Sequence, residues 1–170
     1  MTVVSLIEVL KKLCEEAVKD MVLPVAVQKG DTEQTSRVPE IYRQRLPQSS
    51  AAKKLAPYVI VQAITSKQQQ LPGQPKPTHT ANIRFIGCVY SEDESEGEIA
   101  VLNLLERIKI HLLKQINIGG KFILDCNEPL EMLVYPDDTA PYFAGEMYGT
   151  FQLPPIQQEV NFNFEEKRNN

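Results

Sequence analysis

Tyr90-Ser-Glu-Asp-Glu-Ser-Glu-Gly97 is the stretch on which the fold turns, because the residue pattern changes period across it. Before it, Ala81, Ile83, Phe85, Gly87 and Val89 alternate with Asn82, Arg84, Ile86, Cys88 and Tyr90 in Thr80–Tyr90, the period of a strand with one buried face. After it, Val101, Leu104, Leu105, Ile108, Leu112 and Ile116 recur at three- and four-residue spacing, which predicts an amphipathic helix starting near Glu98. Asn103, Arg107, His111 and Lys114 take the wet side. Ile110 projects among them, either as a scattered exposed apolar residue or as a subunit contact. Carboxylates just ahead of the helix favour the positive end of its dipole by about 0.3–1 kcal/mol each.

Downstream, Gly119-Gly120 is expected to end the helix, with short strands at Lys121–Asp125 and Leu130–Tyr135 and a turn over Pro136–Pro141 that contains Asp137 and Asp138. The last strand has the plainest alternation. Phe143, Gly145, Met147, Gly149, Phe151 and Leu153 face one way, Ala144, Glu146, Tyr148, Thr150 and Gln152 the other, and Pro154-Pro155 ends it. In the polar tail, Phe162 and Phe164 are candidate anchors on a neighbouring molecule.

Upstream, Ser5-Leu-Ile-Glu8 reads as a capping box opening a helix whose stripe is Leu6, Val9, Leu10, Leu13, Ala17 and Val18. Pro24 should stop it, and Val25–Gln28 is a short strand candidate. Residues 29–57 show little periodicity and hold Arg37, Arg43, Arg45, Lys53 and Lys54 beside Val38, Ile41, Tyr42 and Leu46. This long segment is expected to be an arm that orders against a partner, or a surface loop folded back on its own domain. Tyr58–Thr65 is a strand. The segment 66–78, rich in proline and glutamine, is a projecting hairpin loop unable to hold a ladder. The expected fold is α+β: one domain over 1–155 with a mostly antiparallel sheet packed against two main helices, the arm at 29–57, the hairpin loop at 66–78, and a tail at 156–170.

A chain of 170 residues can bury about 70% of the surface it exposes when unfolded, so it needs no staples. Its three cysteines, Cys14, Cys88 and Cys126, are widely spaced and odd in number, which disfavours a disulfide framework or thiolate zinc site. Reduced thiols fit a cytosolic setting. No apolar run reaches the roughly 20 residues of a membrane span, and Glu8, Lys11 and Lys12 interrupt the N-terminal pattern, so neither a membrane nor a signal segment is expected. The net charge of −4 argues against general affinity for nucleic acid or anionic lipid.

Chemistry is scarce along the chain. His79 and His111 stand in no triad-like context, and no phosphate-loop, dinucleotide, zinc-protease or nucleophile-elbow motif occurs. The acidic run Glu92–Glu98 lacks the spacing of a calcium loop and reads as helix-dipole support. No catalytic residue, metal or cofactor is therefore expected.

Several segments in order carry a resemblance: a capped first helix, Val38-Pro-Glu-Ile-Tyr42 with Leu46-Pro47, Ala56-Pro-Tyr-Val-Ile-Val61, Gly87-Cys-Val-Tyr-Ser-Glu-Asp93, Val101-Leu-Asn-Leu-Leu-Glu-Arg-Ile108, Pro129-Leu-Glu131 and Ala140-Pro-Tyr-Phe-Ala-Gly-Glu-Met147. Together they resemble small tail proteins of phages and prophages of Gram-positive bacteria, and within that group the tail terminator class, also called tail completion or neck proteins. The family frequently has a tryptophan where Phe143 stands, and this chain has none. The resemblance implies a subunit of a hexameric ring that caps the tail tube, ends its polymerisation and joins it to the head connector. Its implied partners are its own copies, the tube protein and the connector, with DNA only as passing cargo. Its implied places are the virion neck and, during assembly, the host cytoplasm. The expected contact residues are Arg37, Tyr42, Arg43 and Arg45 on the arm and Arg107, Ile110 and Lys114 on the long helix. Two alternatives are a head-completion or connector protein and a phage nucleic-acid-binding protein using the arm on phosphates. The last would need aromatics interleaved with the cations for base stacking, and the arm offers only Tyr42.

Overall fold

Three long strands form the centre of the structure: β4 (Tyr58–Gln69), β5 (Thr78–Tyr90) and β9 (Tyr142–Leu153). In this computed structural model, which describes residues 2–27, 30, 33–47, 55–136 and 140–156, they pair antiparallel, with Val61 opposite Phe85 and Phe85 opposite Met147. Shorter strands complete the sheet: β3 (Glu40–Arg43), β6 (Asn117–Ile118), β7 (Phe122–Leu124) and β8 (Glu131–Val134). Among the described residues the order is β3-β4-β5-β9-β7-β6, with β8 also on β9. Apart from parallel β3–β4, all its pairs are antiparallel. The mixed α+β architecture with two helices is as the residue periods predict.

Both helices lie on one face of this sheet. α1 (Val3–Val18) packs on β3 and β4, and α2 (Glu94–Lys114) on β5 and β9. Leu6, Leu10 and Val18 of α1 and Val101, Leu104, Leu105, Ile108 and Leu112 of α2 are fully buried there with Ile83, Phe85, Met147 and Phe151. Among the described residues the opposite face is covered at one end. There Ala56, Tyr58, Ile60, Cys88 and Tyr90 form a second, smaller cluster with Leu46, Leu55 and Tyr142.

Several expectations need correction. Thr2, not Ser5, caps α1: its hydroxyl accepts from the Ser5 N–H at 3.3 Å, which leaves Glu8 out of any capping box and turned to Arg43. α2 begins at Glu94 rather than near Glu98. Asp93 accepts from the Glu96 N–H at 3.1 Å, so the acidic run is the cap and first turn, not a preceding loop. The helix stops at Lys114, so Ile116 falls beyond it and is half exposed. Gly119 and Gly120 do not end the helix. With φ of +60° and +71° they form the turn between β6 and β7, where left-handed backbone favours glycine.

The strand candidate at Val25–Gln28 is replaced by β1 (Leu23–Pro24), paired with β2 (Ser36–Arg37); Gln28 lies outside the described residues. The arm is partly structured on its own domain. Ile41 is buried against the core, because β3 joins the sheet edge and puts that side chain over the apolar β4 face. The hairpin loop is also shorter than expected: Ser66–Gln69 pairs with Thr78–Ala81, and Pro72, Pro75 and Pro77 all stay outside the ladder. Lys53, Lys54, Asp137, Asp138, Phe162 and Phe164 lie outside the described residues.

The contact between the α2 start and β9 gives a test. A Gly→Ala change in a helix normally stabilises by about 0.4–1 kcal/mol, but a Cβ on Gly97 would lie 2.2 Å from Phe143 ring atoms. Overpacking should win, so Gly97→Ala is expected to destabilise by about 1–3 kcal/mol in urea unfolding, and Phe143→Leu in the same chain to recover most of that loss. A raised midpoint for Gly97→Ala alone would show that this packing is absent. Leu10→Ala, deep under α1, should cost about 2–5 kcal/mol by the same measurement.

Candidate assembly interface

The residues expected to make contacts fall into two separate groups. Arg37, Tyr42, Arg43 and Arg45 sit on or beside the β3 edge, and much of their charge is neutralised within the subunit. Arg37 pairs with Glu40 at 3.6 Å and donates to the Leu55 carbonyl, while Arg43 pairs with Glu8 of α1. Tyr42 packs edge-on against Tyr58 and donates to Glu40 at 2.7 Å. Burial first, then the bond to Glu40 and its charge, push the Tyr42 phenol up to about 12. Arg45 is exposed in the turn after β3 and makes no ion pair among the described residues. These local pairs make the edge a fixed surface rather than a loose cationic arm.

Arg107, Ile110 and Lys114 share the outside of α2. Arg107 pairs with Asp20, just past α1, at 2.6 Å and ties the two helices together; that contact holds the Asp20 carboxyl below its usual range. Lys114 ends the helix, where a cation suits the dipole. Ile110 belongs to a feature the sequence pattern hid. Ile99, Leu102, Ile110 and Leu113 are between 43% and 55% exposed, and their spacing places them along one side of α2, turned away from the buried stripe. Within this second stripe Glu106 and Lys109 pair at 3.0 Å. An apolar strip of this length on a helix is a candidate contact surface.

The uncovered end of the opposite sheet face holds the other feature. Register alone places Gln62, Arg84, Tyr148 and Glu131 in one row across β4, β5, β9 and β8, with Ile60, Ile86, Glu146 and Leu133 in the next. Arg84 donates to Gln62 through two nitrogens, at 2.6 and 3.0 Å, and pairs with Glu146 at 3.5 Å. Glu146 is only 7% exposed, and the Tyr135 hydroxyl donates to it. Its hydrogen-bonded, charge-paired setting is what a buried carboxylate requires. Contact with Tyr148 first, and then the charges of Tyr148, Glu146 and Tyr135, hold the Arg84 guanidinium above its ordinary value against the effect of burial. Around this network Leu133 and Ile64 stand half exposed, and a groove beside it is lined by Asn82, Glu131 and Tyr148.

Cys14 is fully buried, and burial pushes its thiol well above the ordinary value, away from the reactive thiolate. His79 bonds Ser66 at 3.0 Å inside the hairpin, and His111 bonds the Arg107 carbonyl. Among the described residues no grouping of His, Cys, Asp and Glu could hold a metal, and no helix is long and apolar enough to cross a membrane. Comparison with protein-family models and with curated proteins finds no match for this chain.

The Tyr135–Glu146 contact can be read directly by titration. Burial first, then the bond to Glu146 and the charges of Glu146 and Tyr148, push the Tyr135 phenol up to about 12, with Arg84 acting the other way. The folded value exceeds the unfolded one of about 10. The phenol's contribution to stability is therefore complete below about pH 10 and is lost as pH rises through about 12. Glu146→Gln should move the Tyr135 titration down toward its ordinary value, followed by phenolate absorbance with Tyr135→Phe as the assignment control. An unmoved titration would remove the contact from the network.

Proposed function

We propose that this chain is the subunit of a closed ring that caps a phage-type tail tube, ends its polymerisation and joins it to the head connector. The observation that carries the ring is the presence of two unlike contact surfaces on opposite sides of the subunit. The Ile99–Leu113 stripe faces outward from the helix layer, and the Arg84–Glu146 network with Leu133 and Ile64 faces outward from the bare end of the sheet. Pairing one of these surfaces with the other is head to tail rather than two-fold, and such contacts form a ring when the rotation closes. The tail terminator resemblance supplies the identity of the ring and its partners.

The same surfaces favour a binding part over the nucleic-acid reading. Phosphate binding needs cations free to release counterions, and Arg37 and Arg43 already face Glu40 and Glu8. Six-fold stoichiometry, the tube and the connector rest on the resemblance alone.

Purified protein is expected to form closed rings with a central channel in negative-stain images. Leu102→Asp with Leu113→Asp should shift it to monomers while changing its melting temperature little, since both side chains are already half exposed. Phage particles lacking the protein should carry tails of irregular length that do not join heads. Tails of normal length on filled heads would overturn the assignment, whereas rings absent at every concentration would overturn its geometry.

A further inference from the structure

The outer stripe of α2 reads alike from either end. Ile99, Leu102, Glu106, Lys109, Leu113 and Ile116 follow at spacings of three, four, three, four and three residues: two apolar positions, two charged ones and two apolar ones. That is the spacing of a coiled-coil seam, which keeps successive residues on one line of the helix. All six are partly exposed, the apolar side chains by 43–55% and the charged pair by 31% and 38%. They lie on the flank away from α1, since Arg107 on the other flank pairs with Asp20. Leu104, Leu105, Ile108 and Leu112 are buried beneath the helix and take no part in the seam.

What fits such a strip is a second copy of it running the opposite way. Turned about a two-fold axis level with the midpoint between Arg107 and Ile108, Leu102 comes opposite Leu113 of the second copy and Glu106 opposite its Lys109. Ile99 reaches the end of the other helix beside Ile116, which lies two residues past the helix terminus at Lys114. The symmetry makes each of these contacts twice. A parallel pair in register would set Glu106 against Glu106 and Lys109 against Lys109, which repel. Sliding the antiparallel pair by one heptad would set Lys109 or Glu106 against a leucine. The charged layer therefore fixes direction and register, as one polar layer does in a coiled coil, and the leucines and isoleucines supply apolar area.

We infer that two copies of this chain pair antiparallel through α2, with Leu102 against Leu113 and Glu106 against Lys109 in both directions. The strip is the one that the proposed ring would seat on the sheet face of the next subunit, so a subunit makes one contact or the other. The pair is then the unassembled form, and it covers the apolar strip until the head-to-tail contact replaces it. The inference needs neither the ring nor the tail tube.

The test uses the full chain with Cys126→Ser, because Cys126 is exposed while Cys14 and Cys88 are buried. With Leu102→Cys and Leu113→Cys added, mild oxidation should give a disulfide-linked dimer. Within one chain the two positions stand about 16 Å apart along the helix, at 1.5 Å per residue, too far to bridge. Leu102→Cys alone should stay unlinked, since its counterpart in the second copy lies as far away. Without added cysteines, light scattering should show a dimer at concentrations below those at which rings form. Glu106→Lys sets lysine against lysine twice and should raise the dimer dissociation constant about tenfold or more. Its melting temperature should change little, because exposed ion pairs contribute little to folding. Adding Lys109→Glu should restore the dimer. A double-cysteine chain that does not link, or a charge swap that leaves the dimer as weak as the single change did, would overturn the inference and leave the ring reading standing. Rings absent while the linked dimer forms would overturn the ring alone. A chain that stays monomeric at every concentration would overturn both.

Discussion

Two helices must share one face of a sheet built on three long strands, and most of the structure follows from that constraint. The row Val61, Phe85, Met147 lies under the helices with less than 1% exposure along its length. The helix pair covers β3–β4 and β5–β9, and α2 also reaches β8. Among the described residues the reverse face is covered at one end, where Leu46, Leu55 and Ala56 meet Tyr58, Ile60 and Tyr90. The rest of that face must satisfy its own polar groups, and Arg84, Glu146, Gln62 and Tyr135 do so among themselves.

Glycine placement shows how tightly the helix layer sits. Gly87 and Gly145 lie beneath α2, where added Cβ atoms would fall 3.1–3.3 Å from the Leu104 and Leu105 side chains. Their value is close approach rather than backbone freedom. Gly97 plays the same part from the helix side, by making room for the Phe143 ring. This explains a misread boundary. A glycine inside the first turn lowers helix propensity by about 1 kcal/mol relative to alanine, so a reading by period alone starts the helix after it. The Asp93-x-x-Glu96 spacing, a capping signal, was the better guide.

What was legible in the sequence was whatever repeats locally. The alternation of β5 and β9 and the buried stripes of α1 and α2 are each contained within one element, so their periods predict them closely. β3 has four residues and one buried side chain, Ile41. Its place is set by Val59 and Val61, nearly twenty positions away, through a parallel pairing that no short window contains. The outer stripe of α2 was masked for a different reason: Glu106 and Lys109 interrupt it, and their mutual ion pair makes the interruption electrostatically quiet only once the helix exists. The Arg84–Glu146 network was out of reach as well. Each residue sits at an outward position of its own strand, where a charge ordinarily meets water. Only the β5–β9 register places them beside each other and beside Tyr135.

The Arg84–Glu146 pair has its carboxylate buried and its guanidinium 32% exposed, and desolvating the carboxylate offsets much of their attraction. That balance bears on what the face does. Replacing such a pair with well-packed apolar residues is often neutral or stabilising in an isolated domain, so folding alone gives weak reason for Arg84 and Glu146 to be there. In the proposed ring, where another subunit would approach this face, there is a stronger one. Fixed opposite charges, already bonded to Gln62 and Tyr135, present a defined pattern without reorganising on contact, and wrongly placed neighbours leave charges unmatched. The half-exposed Leu133 and Ile64 beside them supply area, and the charged pair supplies orientation. In a head-to-tail ring every subunit repeats the same contact, so a small angular error at one interface recurs at each and prevents closure. In the ring proposed above, the Arg84–Glu146 pair would orient the apolar area that Leu133 and Ile64 offer beside it.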